Sequence, residues 1–293
     1  MGKVINAGLP IDGQTKLVCL LGSPVAHSLS PAMHNTAFEA LNLNYRYLAF
    51  DVRPDDLPAV VDGLKKMGAV GWNLTMPHKT DMAGLVDELS PAARMVGAVN
   101  TVVNDGGKLM GHITDGIGET RNLKSHGVDV VEKHIVIAGA GGAARAVAVQ
   151  AALDGAAAID IFNRSEDKAF ALAKIINDGT ECAAKGFALS DKQAMAKSLG
   201  EASVFINGTK LGMVPDTESC VLEDASVLSK ETVVADLVYH PGQTKLLRMA
   251  KARGCSVVSG FGMLLYQGAA AFELWTGEKM PTDIVKDNVF GKQ

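Results

Sequence analysis

The chain has 293 residues, 47% of them hydrophobic and 20% charged, the balance of a globular protein of about two domains that buries its core without disulfides. A net charge of −4 with no block of Lys and Arg excludes a nucleic-acid footprint, and no apolar run is long enough to span a membrane. Cys19, Cys182, Cys220 and Cys255 stand singly without metal-binding spacing, so free thiols of a reducing cytoplasm are expected, with no metal site and no secretory leader.

Short apolar runs alternate with helical patterns. Residues 17–21 read as a strand. Residues 31–41 read as a helix with Ser30 at its N-cap and Pro31 at the first helical position. Strands are expected over 45–52 and 70–75, helices over 57–67 and 79–88, and a hairpin of 98–103 with 108–113 about Asp105-Gly106-Gly107. A second series follows: strands over 134–138, 158–162, 204–206, 233–237 and 256–259, with helices over 143–154, 167–176, 245–253 and 261–275. Strands alternating with helices predict parallel sheets, and two such series predict two α/β domains with a break near 114–118.

The second series opens on a glycine turn. Gly139, Gly141 and Ala144 form a G-x-G-x-x-A pattern between an apolar strand and an Ala-rich helix. Gly139 permits the turn, Gly141 and Gly142 let the backbone approach a pyrophosphate, and the helix N-terminus favours its charge. About 20 residues further on, where an adenosine ribose is read, stands Asn163-Arg164-Ser165-Glu166-Asp167-Lys168. Arg164, Ser165 and Lys168 suit a 2′-phosphate, which favours NADP, whereas Glu166 opposes it and leaves NAD open. Arg164 or Lys168 alone would be an ordinary solvated residue at a helix start.

Polar residues gather at the strand ends of the first series. Ser28 and Ser30 flank a strand-to-helix connection and could hold a carboxylate, although Ser30 is also an ordinary cap. Asn73 and Thr75 share a strand face, and polar groups in an apolar strand need partners, which a hydroxylated substrate would supply. Lys79 follows in the turn, and Asn100 and Asp115 complete the set. A carboxylate beside Lys79 would make a proton-handling pair.

Ser28-Leu-Ser30-Pro, Asn73-x-Thr75-x-Pro77-x-Lys79, Ala98-Val-Asn100-Thr, Thr114-Asp115-Gly, Gly139-Ala-Gly-Gly-Ala, Asn207-Gly-Thr209, Asp236-x-x-Tyr239-x-Pro241 and Gly260-x-Gly-Met263-Leu-x-x-Gln267 occur in one order across nearly the whole chain. In this the sequence resembles the shikimate dehydrogenase family. The resemblance implies a substrate domain, 1–114 completed by 262–293, a Rossmann-like NAD(P)-binding domain, 115–261, and a cleft between them. It implies Lys79 and Asp115 as the catalytic pair, and Ser28, Ser30, Asn73, Thr75, Asn100, Tyr239 and Gln267 as substrate contacts. It implies Gly139, Ala140, Gly141, Gly142, Ala143, Asn163, Arg164, Ser165 and Lys168 as cofactor contacts, with Thr209, Val238, Gly260 and Met263 at the nicotinamide end.

The implied reaction is reversible, NAD(P)H-dependent reduction of 3-dehydroshikimate to shikimate, on the route to chorismate and the aromatic amino acids. The run Gly262-Met-Leu-Leu-Tyr-Gln-Gly looks like the quinate/shikimate subgroup, which keeps NAD-linked oxidation of quinate open. The assembly state, a homodimer included, is open too. The chain departs from the family in Ile113, where Asn is usual. A nucleotide-binding regulator is the non-enzymatic alternative; retention of Lys79 and Asp115 argues against it. A dehydrogenase for another substrate, such as an aminoshikimate or a folate, is a third reading; a folate pocket would have no need of the two serines.

Overall fold

The computed structural model describes residues 10–291. They divide into two compact units. One comprises the residues up to Thr114 together with those from Gly268 onward; the other runs from Asp115 to Gln267.

The first unit is built on a six-stranded sheet in the order β2-β1-β3-β5-β6-β4. Its strands are β1 (Lys16–Gly22), β2 (Tyr45–Asp51), β3 (Gly71–Leu74), β4 (Glu88–Leu89), β5 (Thr101–Asp105) and β6 (Lys108–His112). β1 lies between β2 and β3 and runs parallel to both, while β5 is antiparallel to β3 and to β6. Val18, Cys19, Leu20 and Leu21 are all buried, the continuous apolar run of a strand covered on both faces. Helices α1 (Ser30–Ala40), α2 (Leu57–Lys66) and α3 (Pro91–Val96) connect these strands. Phe38 of α1 stacks on Tyr45 and on Phe272, with ring centroids 5.1 Å apart in each case.

Two expectations are corrected here. Ser30 does not cap α1: it is the first helical residue, and the position before it, Leu29, makes no side-chain cap. Ser28 takes the capping part, its hydroxyl accepting from the Ser30 N–H at 3.2 Å. Nor is 79–88 a helix. It holds a single 3₁₀ turn, Asp81–Gly84, and then joins the sheet edge at β4. The Asp87 N–H donates to the Leu109 carbonyl and the Asp87 carboxylate accepts from the Leu109 N–H, so pairing with β6 replaces helical bonding.

The second unit carries β7 (His134–Ala138), β8 (Ala158–Asn163), β9 (Ala183–Ala188), β10 (Val204–Asn207), β11 (Val233–Asp236) and β12 (Val257–Ser259). All pairs are parallel, in the order β12-β11-β10-β7-β8-β9. This is the doubly wound order, with its switch point between β7 and β10. Helices α4 (Asp115–Ser125), α5 (Gly142–Leu153), α6 (Glu166–Gly179), α7 (Lys192–Glu201) and α8 (Lys245–Arg253) belong to it. α9 (Phe261–Thr276) begins in this unit and returns the chain to the first, where α10 (Thr282–Val285) follows. The sequence reading did not include α3, α4, β9, α7 or α10. α4 was hidden by glycines that serve close packing: a Cβ on Gly118 would lie 2.7 Å from the Met263 carbonyl oxygen.

The glycine turn sits at the switch point, between β7 and α5. Gly139 has φ +112°, and a Cβ there would lie 2.7 Å from the Gly208 carbonyl oxygen. A Cβ on Gly141 or Gly142 would meet nothing within 4 Å. The two kinds of glycine therefore have different jobs. Gly139→Ala is expected to lower stability by more than about 2 kcal/mol, through a disfavoured φ and a backbone clash. Gly141→Ala should change it by less than about 1 kcal/mol. Urea unfolding of both variants checks this contrast; equal losses would contradict it.

Candidate active site

In the first unit, sheet register brings six of the expected residues to one edge. Leu21 of β1 pairs with Leu74 of β3, and Asn73 pairs with Thr101. The β1–α1 connection with Ser28 and Ser30, the end of β3 with Asn73 and Thr75, and the start of β5 after Asn100 thus share the carboxyl edge of β1 and β3. β3 ends at Leu74, so Thr75 stands just past the strand, its N–H donating to the Leu21 carbonyl at 2.9 Å. The turn after it is anchored by buried His78, whose Nε2 lies 2.8 Å from the Val52 carbonyl oxygen. Lys79 follows, half-buried, its carbonyl accepting from the Val99 N–H at 2.8 Å. That bond sets Lys79 beside the residue preceding Asn100.

Asn73 does not wait for a substrate to satisfy it, contrary to the sequence expectation. Tyr47 donates its phenol proton to Asn73 Oδ1 at 2.7 Å. Asn73 Nδ2 donates to the Asn100 carbonyl at 3.0 Å and to Thr101 Oγ1 at 2.9 Å. Thr101 donates onward to Asn100 Oδ1 at 3.0 Å, and Asn100 Nδ2 donates to Thr114 Oγ1 at 3.0 Å. The Thr114 N–H returns to Asn100 Oδ1 at 2.8 Å. The five residues form a closed, buried network in which every amide orientation is dictated by a partner. Ile113 is buried, 3% exposed, and the backbone that leads into Asp115 is held by Asn100 instead.

The other expected substrate residues, Asp115, Tyr239 and Gln267, belong to the second unit. Asp115 is the first residue of α4 and is buried; Tyr239 is half exposed in the loop after β11, and Gln267 lies in α9, bonded to the Leu264 carbonyl.

The expected cofactor residues of this unit follow strand ends that register aligns. Ala138 pairs with Phe162 and with Asn207, Asn207 with Asp236, and Asp236 with Ser259. Asn163 closes β8, and Gly139, Thr209, Val238 and Gly260 follow the ends of β7, β10, β11 and β12, all along one carboxyl edge. Asn163 Oδ1 accepts from the Ala140 N–H at 3.1 Å and its Nδ2 donates to the Ser165 carbonyl at 2.9 Å, so it ties the glycine turn to the start of α6. Gly141, Gly142 and Ala143 are exposed at the start of α5, whose first N–H groups have no intrahelical acceptor. Arg164, Ser165 and Lys168 are exposed around the start of α6, close in sequence to Glu166 and Asp167. Thr209 is bonded to Asn207 at 2.7 Å, the Val238 N–H donates to Asp236 Oδ1 at 3.0 Å, and Met263 is buried in α9. An open glycine turn at a helix N-terminus, followed by exposed cations at the next strand end, fits a dinucleotide phosphate.

Four polar residues organise this edge without a role assigned to them from the sequence, although Asn207 and Asp236 stand in its motifs. Asn207 and Asp236 end buried strands and bond to each other at 2.9 Å; the second Asp236 oxygen accepts from Thr244 at 2.6 Å. Their signal was a polar residue closing an apolar run. Glu119 and Asn122 lie on α4, which was not foreseen. Asn122 Nδ2 bridges Glu119 Oε2 at 3.1 Å and the Ser259 carbonyl at 3.0 Å. Glu119 is fully buried, and its other oxygen has no partner among the described residues. Burial pushes the Asp236 carboxyl up to about 6. Burial pushes Glu119 up to about 8, and the Asp236 charge adds to the shift.

With this geometry in view, known proteins can be compared. Residues 20–102 match the shikimate dehydrogenase substrate binding domain, and residues 260–289 match the shikimate 5′-dehydrogenase C-terminal domain. A shikimate dehydrogenase (NADP(+)) of Listeria monocytogenes is 48% identical over 283 residues, covering 96% of this chain and 97% of its own. The chain belongs to the shikimate dehydrogenase family. The crystal structure of shikimate 5-dehydrogenase from Listeria monocytogenes, in complex with shikimate and NAD, superposes with a TM-score of 0.92 at 48% identity, over 94% of this chain and 97% of that one. Quinate dehydrogenase from Corynebacterium glutamicum, in complex with NAD, gives 0.85 at 31% identity, over 95% and 99%.

The buried acid makes the family fold pH-sensitive in a predictable direction. Glu119 titrates higher folded than unfolded, so its neutral form suits the fold. Its contribution is whole below the ordinary carboxylate range and is lost as pH rises toward about 8. Glu119→Gln should therefore be more stable than the parent chain near pH 8, by on the order of 2 kcal/mol, with the difference vanishing near pH 4. Thermal midpoints across this range measure it; a pH-independent difference would contradict the assignment.

Proposed function

We propose that this protein catalyses the reversible oxidation of shikimate to 3-dehydroshikimate with NADP, in the route to the aromatic amino acids. The observation that carries the reading is the polar edge of the first sheet, Ser28 through Asn100, in a chain of this family. A nicotinamide held by these residues would supply the hydride acceptor for C3 of the substrate; in balance, shikimate and NADP⁺ give 3-dehydroshikimate, NADPH and a proton.

The chain's own residues bind, orient and handle the proton. Lys79 takes or relays the proton of the C3 hydroxyl, assisted by Asp115. Ser28, Ser30, Asn73, Thr75, Asn100, Tyr239 and Gln267 hold the carboxylate and the remaining hydroxyls. Gly139 to Ala143 cradle the pyrophosphate, Asn163 braces that turn, and Thr209, Val238, Gly260 and Met263 surround the nicotinamide. Arg164, Ser165 and Lys168 bind the 2′-phosphate, which favours NADP; the NADP(+) named for the Listeria relative supports the same choice.

A second reading is NAD-linked use of quinate, favoured by the similarity to the Corynebacterium glutamicum quinate dehydrogenase and by the acidic Glu166 and Asp167 beside Arg164. The reading includes work in a reducing cytoplasm. Its support is four free cysteines, three of them buried; no described helix is long and apolar enough to cross a membrane.

Replacing Lys79 tests the assignment. Lys79→Ala removes the amine and keeps the backbone bond to Val99. Its kcat for shikimate oxidation should fall about 10²–10⁴-fold, the usual worth of a positioned acid–base group, with the thermal midpoint and NADP binding retained. Near-normal turnover would remove Lys79 from the chemistry.

A further inference from the structure

Beneath the polar edge of the first sheet lies a side chain that no substrate can reach. Tyr47 is 0% exposed, in β2, one strand beyond β1 from Asn73. Its phenol proton goes to Asn73 Oδ1 at 2.7 Å. One buried hydroxyl therefore reaches across β1, from β2 to the end of β3.

The ring is held from every side. The Asn35 side chain of α1 takes both backbone groups of Tyr47: its Nδ2 donates to the Tyr47 carbonyl, and its Oδ1 accepts from the Tyr47 N–H, each at 2.9 Å. The His34 imidazole stacks on the phenol ring at 4.4 Å and 5°, and Trp275 lies tilted against it at 6.1 Å. Burial drives His34 down to about 3, so the stacking partner is a neutral ring. Burial also holds the Tyr47 phenol well above its ordinary value, which keeps its proton available to donate.

The proton count gives this placement a consequence. Both Asn73 Nδ2 protons are spent, on the Asn100 carbonyl and on Thr101. What Asn73 has left is acceptor capacity on Oδ1, of which Tyr47 takes one share. Asn73 can then only accept from a ligand, so it reads a group with a proton to give, a hydroxyl and not a keto oxygen. The position of that acceptor is set by the phenol beneath it.

We infer that Tyr47 is a positioning residue for the polyol substrate, acting through Asn73 and never touching the substrate itself. This rests on the proposed reading of the edge as the substrate site. A buried phenol of merely structural value would stabilise the sheet without biasing substrate affinity. A positioning phenol biases affinity for the hydroxylated substrate and leaves the cofactor alone.

A double-mutant cycle separates these outcomes. Tyr47→Phe keeps the ring and its stack and removes only the donor. Expected are a roughly tenfold rise in the KM for shikimate, a kcat within about twofold, and an unchanged KM for NADP. In an Asn73→Ala background the same Tyr47→Phe change should add less than twofold, because the residue it acts through is gone. A tenfold penalty that persists in that background, a penalty shared by NADP, or a lowered thermal midpoint with unchanged KM would each overturn the inference. Direct calorimetric titration with shikimate gives the same cycle without turnover. Absence of shikimate turnover in the parent chain would instead refute the proposed reaction, so the two failures remain distinguishable.

Discussion

A polar side chain that closes a buried strand has to find its partners inside the chain. Each sheet meets this constraint at its carboxyl edge. In the first, Asn73 stands one residue before the end of a fully buried strand, and Tyr47, Thr101 and the Asn100 carbonyl satisfy it. In the second, Asn207 and Asp236 end adjacent strands and satisfy each other, with Thr244 and the Val238 N–H taking the rest of the carboxylate. An unsatisfied buried amide or carboxylate would cost about 1–3 kcal/mol or more, so these bonds decide how each edge is arranged. The side chains proposed to meet substrate and cofactor are attached to edges already rigid for this reason.

The same constraint explains the conduct of α4. Its first turn begins directly after Thr114, which Asn100 holds through both backbone and side chain. Further along, Asn122 ties the helix to the end of β12, while one oxygen of buried Glu119 has no partner among the described residues. A carboxyl in that setting is tolerated because burial keeps it neutral. The helix is thereby fixed at both ends, and Asp115 sits at the first of them.

Much of this arrangement could be read in the residues. Strands buried on both faces appear as apolar runs, and helix 245–253 announces itself through Thr244 before it and Gly254 after it, the latter left-handed in the structure. The glycine turn and Asn163-Arg164-Ser165 were visible as motifs. Other parts carried misleading or weak signals. Gly116 and Gly118 look like turn formers but serve helix packing. β9 is an edge strand whose buried and exposed residues alternate through Lys185 and Gly186, leaving little apolar pattern. Tyr47 reads as one more strand aromatic, since nothing local to it indicates that its hydroxyl lies under Asn73. Ser30 shows how a good local rule fails: Ser before Pro is an ordinary cap, yet here Ser28 does the capping and Ser30 is already the first helical residue.

The proposed reaction moves a hydride from the ring carbon that bears the C3 hydroxyl to a nicotinamide whose ribose end Arg164, Ser165 and Lys168 would read. Initial rates at 340 nm, with shikimate and quinate each paired with NADP and NAD, test it most directly. The account predicts that shikimate with NADP is the fastest of the four combinations. Far better use of NAD than of NADP would contradict the reading of the ribose-binding turn, and no reduction with shikimate and either cofactor would contradict the proposed reaction itself.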